Sequence, residues 1–216
     1  MTNFSLIITA GGTSSRYGSQ NKLLELINGK TVIEHTFSAF ADFNSISEII
    51  IPTHLDIRGK LEELLTDKRI KFVNNGNTRQ ESVYNALEYV NNDYVIIHDG
   101  ARPLIDKKVI ANIMEAVIKH SAVSTMTKTI DTIKEVDENG FIIRTIDRTK
   151  LYNTQTPQAF RTDIIKKAHN IFKGDSFTDD SSMIEELKIP VFMVSGNYTN
   201  IKITNKSDLD FAKLYI

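Results

Sequence analysis

Short apolar runs alternate with segments of helical periodicity along most of this chain. The predicted strands are Phe4–Thr9, Glu48–Pro52, Ile70–Val73, Tyr94–His98, Ala122–Thr127 and Val191–Val194. The predicted helices between and after them are Val32–Phe40, Ile57–Leu65, Arg79–Val90, Lys107–Lys119 and Ser182–Leu187. This alternation is typical of an α/β fold in which helices cover both faces of a mostly parallel sheet.

One segment interrupts the alternation. Thr129–Val136 and Phe141–Ile146 flank Asp137-Glu138-Asn139-Gly140, a turn sequence that predicts a β-hairpin. Such an insertion is either a decoration or an arm that grips a second subunit. Because an isolated hairpin is marginally stable, we favour the arm.

Composition limits the classes of function. At 216 residues, 41% hydrophobic and 25% charged, the chain predicts a single globular domain, residues 1–216, with a sizeable core. The 26 Lys+Arg against 27 Asp+Glu leave no general positive field, which argues against nucleic-acid or membrane-surface binding. The absence of cysteine excludes disulfides and thiolate chemistry and agrees with a cytoplasmic location. The first apolar run is too short for a signal-peptide core, so we expect the chain to start directly with its first strand.

The first strand opens into a loop of small residues that carries two cations. Gly11 and Gly12 would let backbone N–H groups approach a polyphosphate, while Arg16 and Lys22 would bring positive charge to it. The loop matches neither a Walker A sequence nor the dinucleotide fingerprint. We interpret it as a nucleoside triphosphate site, although a simple tight turn would also explain the glycines.

A carboxylate follows the strand that ends near His98. Ligands of open α/β sheets bind outside the carboxyl ends of the strands, so Asp99 would lie beside Gly11 if the two strands are neighbours. A single carboxylate that faces phosphates suits Mg²⁺. The alternative is that Asp99 and Gly100 only form a turn. We expect His98 to be a hydrogen-bonded core residue.

Further polar motifs lie downstream, and each has a structural alternative. Thr78 and Glu81 fit a capping box for the next helix, although their loop could also read a base edge. Arg148 suits phosphate recognition but could be a surface charge. Lys202 is placed on a late strand, where it could be a phosphate contact or an edge charge. Thr178 or Asp179 is the expected N-cap of the helix that follows them.

Together these motifs resemble one family across essentially the whole chain. The motifs are Ala10-Gly11-Gly12 with Arg16 and Lys22, His98–Pro103, Gln155-Thr156-Pro157-Gln158 and Asn200–Thr204. Their order and spacing are similar to those of the 2-C-methyl-D-erythritol 4-phosphate cytidylyltransferases. The resemblance implies a three-layer, Rossmann-like nucleotidyltransferase with a mostly parallel mixed sheet. It also implies an enzyme that joins CTP and methylerythritol phosphate, requires Mg²⁺ and forms homodimers through arms, here residues 129–152.

The resemblance also implies roles for individual residues. Arg16, Lys22 and Lys202 would stabilise the reacting phosphates, and Asp99 would hold Mg²⁺. The nucleotide would contact Ala10, Gly11, Gly12, Gly76, Asn77, Ser82 and Arg102. The sugar-alcohol phosphate would contact Thr132, Arg148 and Thr156, with the arm residues supplied by the partner chain.

Two departures from the family pattern affect these expectations. Asn77 stands where an acidic residue is common, which makes the preference for CTP a prediction to be tested. Thr199 stands where an aspartate is often found, which removes one candidate metal ligand. The alternative functions are a ribitol-5-phosphate cytidylyltransferase and, more remotely, a nucleotide-binding regulator without activity.

Overall fold

The computed structural model describes residues 2–12 and 21–216. Its strands are β1 (Phe4–Thr9), β2 (Leu26–Ile27), β3 (Lys30–Thr31), β4 (Ile46–Thr53), β5 (Ile70–Asn74), β6 (Tyr94–Asp99), β7 (Ala122–Lys128), β8 (Ile133–Val136), β9 (Ile142–Ile146), β10 (Tyr152–Arg161) and β11 (Phe192–Ser195). Its α-helices are α1 (Val32–Ala41), α2 (Leu55–Leu64), α3 (Arg79–Leu87), α4 (Lys107–His120), α5 (Thr162–Ile171), α6 (Asp180–Glu186) and α7 (Lys206–Ala212). Short 3₁₀ turns occupy Lys22–Leu24 and Arg148–Lys150.

Seven strands form one mixed sheet in the order β11-β7-β10-β6-β1-β4-β5. Strand β10 runs antiparallel to both of its neighbours, and the other pairs are parallel. The pairing of β10 with β7 is irregular, because β10 advances four residues from Thr154 to Gln158 while β7 advances two from Met126 to Ser124. The predicted mostly parallel mixed sheet is therefore confirmed.

Alternate residues of the central strands pack into two separate cores. In β1, Leu6 and Ile8 belong to a core shared with α1, α2, α4 and α7. Ile7 belongs to a second core shared with α3, α5 and α6. Since successive side chains of a strand point to opposite faces, the two cores lie on opposite faces of the sheet. The molecule thus has the predicted three layers.

Helix starts follow local capping chemistry. Thr31 and Glu34 form a complete capping box at α1, and Asp179 accepts the N–H of Ser182 at the start of α6. The box predicted for α3 forms only in part. Thr78 accepts the N–H of Glu81, but the Glu81 carboxylate turns to the N–H of Asn77, at 2.7 Å.

Strands β8 and β9 form a hairpin that pairs with no strand of the seven-stranded sheet. The backbone N–H of Gly140 donates to the carbonyl of Asp137 at 3.1 Å, and Gly140 has a φ of +86°, a conformation that favours glycine. Phe141, Ile142 and Ile143 are exposed. The predicted hairpin is confirmed, although its first strand starts at Ile133 rather than Thr129.

Several elements differ from the sequence-based expectation. The Gln155-Thr156-Pro157-Gln158 motif lies within β10, a strand that was not predicted. Helices α5 and α7 were not predicted. Residues 201–204 form no strand, so the placement of Lys202 on a late strand was wrong; one backbone bond, from the N–H of Ile203 to the carbonyl of Ala101, joins this segment to the turn after β6. No helix in the part of the chain that the structure describes is long and apolar enough to cross a membrane.

Candidate active site

The pairing of β1 with β6 brings the two main predicted motifs together. Thr9 at the end of β1 lies opposite Asp99 at the end of β6. Beyond these ends lies a cleft of about 290 Å³. Its lining includes Gly11, Gly12, Lys22, Asn77, Thr78, Arg79, Ser82, Asp99 and Lys202. The two strands are therefore neighbours, as the predicted position of Asp99 beside Gly11 required.

The loop before α3 closes one wall of this cleft and leaves no room for larger residues. A methyl group on Gly11 would come within 2.7 Å of the Asn75 side chain, and one on Gly76 would come equally close to the backbone of Glu81. The Ser82 hydroxyl accepts the N–H of Gly76 at 3.0 Å and donates to the carbonyl of Thr78 at 2.8 Å. Ser82 therefore holds the loop in shape.

Among residues 2–12 and 21–216, three cations surround the carboxylate of Asp99, which is almost completely buried. Arg79 Nε lies 3.1 Å from Oδ1, while Arg102 Nε and Lys202 Nζ lie 3.3 Å and 3.0 Å from Oδ2. Burial alone would raise the pKa of Asp99, but the charges of Arg79, Lys202 and Arg102 hold it well below the ordinary value of 3.8. Asp99 is therefore an anion in a strongly positive pocket.

A chain of hydrogen bonds behind Asp99 fixes its backbone. The N–H of Asp99 donates to Thr156 Oγ1 at 3.0 Å, and Thr156 Oγ1 lies 3.1 Å from His98 Nδ1. The other ring nitrogen of His98 lies 3.3 Å from the carbonyl of Arg102. The carbonyl of Arg102 can only accept, so Nε2 carries a proton, and in the neutral ring Nδ1 accepts the hydroxyl hydrogen of Thr156. Burial lowers the pKa of His98 to about 3, and the residue is a hydrogen-bonded core residue as predicted.

A second cleft, of about 260 Å³, adjoins the first. Arg79, Asp99 and Lys202 line both clefts, and Arg102, Thr156, Gln158 and Thr178 line the second alone. Two ligands placed in the two clefts would therefore meet at the same three charged groups. Such an arrangement can bring two anionic reactants together.

The structure brings only part of the predicted residue set to these clefts. Ala10 is fully buried, and Gly76 does not line the first cleft. Arg102 contributes to the second cleft rather than to the first. Thr132 and Arg148 are exposed and line neither cleft. Arg16 lies outside the described residues.

Arg79 is the charged residue of the site that the sequence analysis passed over. It is the first residue of α3, directly after the capping Thr78, so its local sequence is explained by the helix start alone. The signal that could have identified it is a cation placed immediately after the loop that follows β5, at the same sheet edge as Asp99.

The side chains that line the first cleft could bind Mg²⁺ through a single carboxylate, with phosphates and water as the other ligands. Asp99 is the only acidic side chain among the described residues that line the first cleft. No group of three or more His, Cys, Asp or Glu residues able to hold a metal occurs within residues 2–12 and 21–216. Mg²⁺ commonly binds through one or two carboxylates together with phosphates and water. Asp99 suits that mode, and it would share its oxygens with the surrounding cations.

Comparisons with known proteins match the whole chain to one family. The family model described as 2-C-methyl-D-erythritol 4-phosphate cytidylyltransferase matches residues 4–216. Enzymes of that name from Bacillus mycoides and from Caldanaerobacter subterraneus are 38% and 39% identical; each alignment covers 99% of this chain and 97% or 99% of the relative.

Solved structures give the same result. The 4-diphosphocytidyl-2C-methyl-D-erythritol synthase of Anaerococcus prevotii superposes with a TM-score of 0.89 at 31% identity, covering 99% of this chain and 96% of that one. The cytidylyltransferase of Francisella tularensis gives a TM-score of 0.86 at 30% identity over the full length of both chains. Full-length similarity in sequence and in fold leads to one conclusion: this chain belongs to the 2-C-methyl-D-erythritol 4-phosphate cytidylyltransferase family.

Proposed function

We propose that the chain transfers CMP from CTP to 2-C-methyl-D-erythritol 4-phosphate, which releases pyrophosphate and serves isoprenoid biosynthesis. Membership of the family supports this activity. The observation that carries the proposal is the pair of adjoining clefts that share Arg79, Asp99 and Lys202. CTP would occupy the first cleft and the sugar-alcohol phosphate the second. Because CTP is a cytoplasmic metabolite, we place the enzyme in the cytoplasm.

The chemistry requires positioning and charge neutralisation. An oxygen of the methylerythritol phosphate forms a bond to the α-phosphorus of CTP, and the bond from that phosphorus to the oxygen that bridges to the β-phosphate breaks. The attacking group is already an anion, so no general base is needed. Lys22 and Lys202, which line the first cleft, would offset the charge that develops on the phosphates. Arg16 is proposed to act with them.

We further propose that Asp99 contributes to a Mg²⁺ site. Bound there, the ion would neutralise part of the triphosphate charge. The lone carboxylate at the cleft edge supports this assignment. Its test is calorimetry of Mg²⁺ binding to the CTP complex of the parent protein and of Asp99→Asn. Weaker Mg²⁺ binding by the variant is expected, and equal binding would remove Asp99 from the metal site.

Pyrophosphate release tests the activity and its selectivity. The purified protein is assayed with Mg²⁺ and CTP in parallel with methylerythritol 4-phosphate and with ribitol 5-phosphate. We expect release with the first alone. Release with ribitol 5-phosphate alone would move the enzyme to the alternative function. Because Asn77 departs from the family pattern, UTP and ATP are assayed beside CTP, and equal turnover with either would refute CTP selection.

We propose that the hairpin is an arm that completes the active site of a second subunit. The exposed Phe141, Ile142 and Ile143 offer an apolar surface to a partner. Thr132 and Arg148, which line neither cleft of their own chain, could then reach the partner's sugar-phosphate cleft. Both residues belong to the segment 129–152 predicted as the arm.

Mixing of two inactive variants tests this exchange. Lys22→Ala and Arg148→Ala are produced separately and by coexpression. If Arg148 acts across the interface, a mixed dimer carries one intact site, and a statistical mixture regains about a quarter of the parent activity. If Arg148 acts within its own chain, every site keeps one lesion and no activity returns. A monomeric sedimentation profile of the parent protein would also refute the arm.

A further inference from the structure

A second buried carboxylate lies behind the active site and takes no part in the chemistry described so far. Asp180, the first residue of α6, is completely inaccessible to solvent. Its Oδ2 lies 2.8 Å from Arg79 Nη2, and its Oδ1 lies 3.4 Å from Nε2 of the equally buried His169. Burial of a carboxylate is costly unless a cation pairs with it. Asp180 therefore depends on Arg79.

Arg79 joins this carboxylate to the one in the active site. Its Nε faces Asp99 Oδ1 at 3.1 Å while its Nη2 faces Asp180. The contact with Asp99 is a hydrogen bond from Nε, whereas the contact with Asp180 is a buried ion pair without a hydrogen bond at Nη2. The planar guanidinium therefore lies between two carboxylates on different sides, and both act on its orientation. Asp99 lies on β6 and Asp180 on α6, so one side chain connects the central sheet to a helix of the outer layer.

We propose that Arg79 is a positioning residue for Asp99 and that Asp180 holds the Arg79 guanidinium in place. The proposal rests on the function proposed above, since the effect is expressed through Asp99 and the phosphates beside it.

The balance of charge gives Asp180 a second effect. Arg79, Arg102 and Lys202 contribute three positive charges around one carboxylate. Asp180 offsets the positive charge of Arg79 from the side away from Asp99. Without it, Arg79 would lose one of its two anchors and could turn toward the phosphates in the cleft, which it also lines. Asp99 would then be held by fewer contacts and would be less well oriented.

A kinetic cycle tests the positioning role. Asp180→Asn, Arg79→Gln and the double variant are assayed for kcat and for KM of both substrates. We expect Asp180→Asn to lower kcat about tenfold with KM for CTP changed less than threefold, and the double variant to match Arg79→Gln within twofold. A kcat for Asp180→Asn within twofold of the parent would overturn the proposal. So would a loss in the double variant equal to the product of the two single losses.

Unfolding supplies a readout that does not depend on activity. Arg79→Gln leaves Asp180 buried without the charge of Arg79, whereas the double variant removes both of these charges. We expect the double variant to unfold several degrees above Arg79→Gln in a thermal scan. A lower midpoint for the double variant would mean that the two residues are not coupled, which would overturn the proposal. This comparison holds even if the parent shows no turnover, so the failure of the proposed function remains distinguishable.

Two further variants sharpen the test. Arg79→Lys keeps the charge but replaces the planar guanidinium, which reaches both carboxylates, with a single ammonium group, so we expect kcat to stay as low as in Arg79→Gln. A kcat of Arg79→Lys equal to that of the parent would mean that only the charge of Arg79 matters, which would overturn the positioning role. The matched control is the exposed pair of Arg161 and Asp163, whose nearest atoms lie 2.6 Å apart. Its cycle, Arg161→Gln with Asp163→Asn, is expected to leave kcat and the midpoint unchanged.

Discussion

Replacement of Thr156 by valine tests the hydrogen-bond chain behind Asp99. Valine keeps the shape of threonine but replaces the hydroxyl with a methyl group. The N–H of Asp99 and Nδ1 of His98 would both lose their partner in a completely buried setting. A buried polar group without a partner costs about 1–3 kcal/mol, so the two together predict a loss of about 2–6 kcal/mol in the free energy of unfolding.

Urea unfolding followed by circular dichroism measures this loss, with Thr156→Ser as the matched control. Serine keeps the oxygen and gives up one methyl group, worth about 1 kcal/mol. A free energy for Thr156→Val within 1 kcal/mol of that for Thr156→Ser would refute the hydrogen-bond argument. Kinetics add a second comparison. Loss of kcat would support positioning of Asp99, whereas a raised KM for methylerythritol phosphate alone would support the direct substrate contact expected from the family.

Three further predictions concern separate parts of the molecule. Lys22→Ala is expected to lower kcat by about 10²–10³ with the fold intact, and near-normal turnover would remove it from the mechanism. Ser82→Ala loses two hydrogen bonds that shape the nucleotide loop, so KM for CTP should rise about tenfold; an unchanged KM would mean that the loop keeps its shape without them. The pKa of Glu48 is lowered, because hydrogen bonds from Ser5 and from the backbone and side chain of Asn91 outweigh the effect of burial. A carboxyl group with a lowered pKa stabilises the fold above the ordinary value of 4.5, and this stabilisation is lost as the pH falls through the pKa of the folded state. Glu48→Gln should therefore be less stable than the parent at pH 7 and equal to it in strong acid. A difference in stability that persists in strong acid would contradict this.

The strands and helices with apolar periodicity could be predicted because the spacing of their apolar residues shows which side chains are buried. Phe4–Thr9 appears as β1 without change, and Ile7 and Leu6 alternate between the two cores. The hairpin was predictable because Gly140 supplies the left-handed conformation that its turn requires. In both cases a few neighbouring residues decide the structure.

Strand β10 was missed because three of its six buried residues are polar. Gln155, Thr156 and Gln158 are all nearly or completely buried, so the strand lacks the apolar pattern that identifies the others. Their partners are far away in sequence. Gln158 donates to Ser124, and Gln155 accepts from Asn200. Contacts over such distances leave no local signal.

The same limit applies to the charged site. The resemblance to the family identified Asp99 and Lys202, which the structure places 3.0 Å apart. It did not identify Arg79 or the ion pair between Arg79 and Asp180, because a cation after a helix cap and a carboxylate at another helix start are each unremarkable by themselves. Only the fold brings α3 and α6 together at that point.

The irregular stretch of β10 limits where the chain can change in length. Between Thr154 and Gln158, β10 contains two residues more than the paired stretch of β7. In this stretch the Thr156 hydroxyl accepts the backbone N–H of Asp99. The carbonyls of Thr156 and Pro157 are satisfied there by the side chains of Asn200 and Thr125. A one-residue deletion within this stretch would break these hydrogen bonds without making the pairing of β10 with β7 regular. It would also turn the following side chains to the wrong face of the sheet. The exposed turn of the hairpin carries no such constraint. Insertions and deletions among relatives should therefore collect in the arm and avoid the strand that follows it.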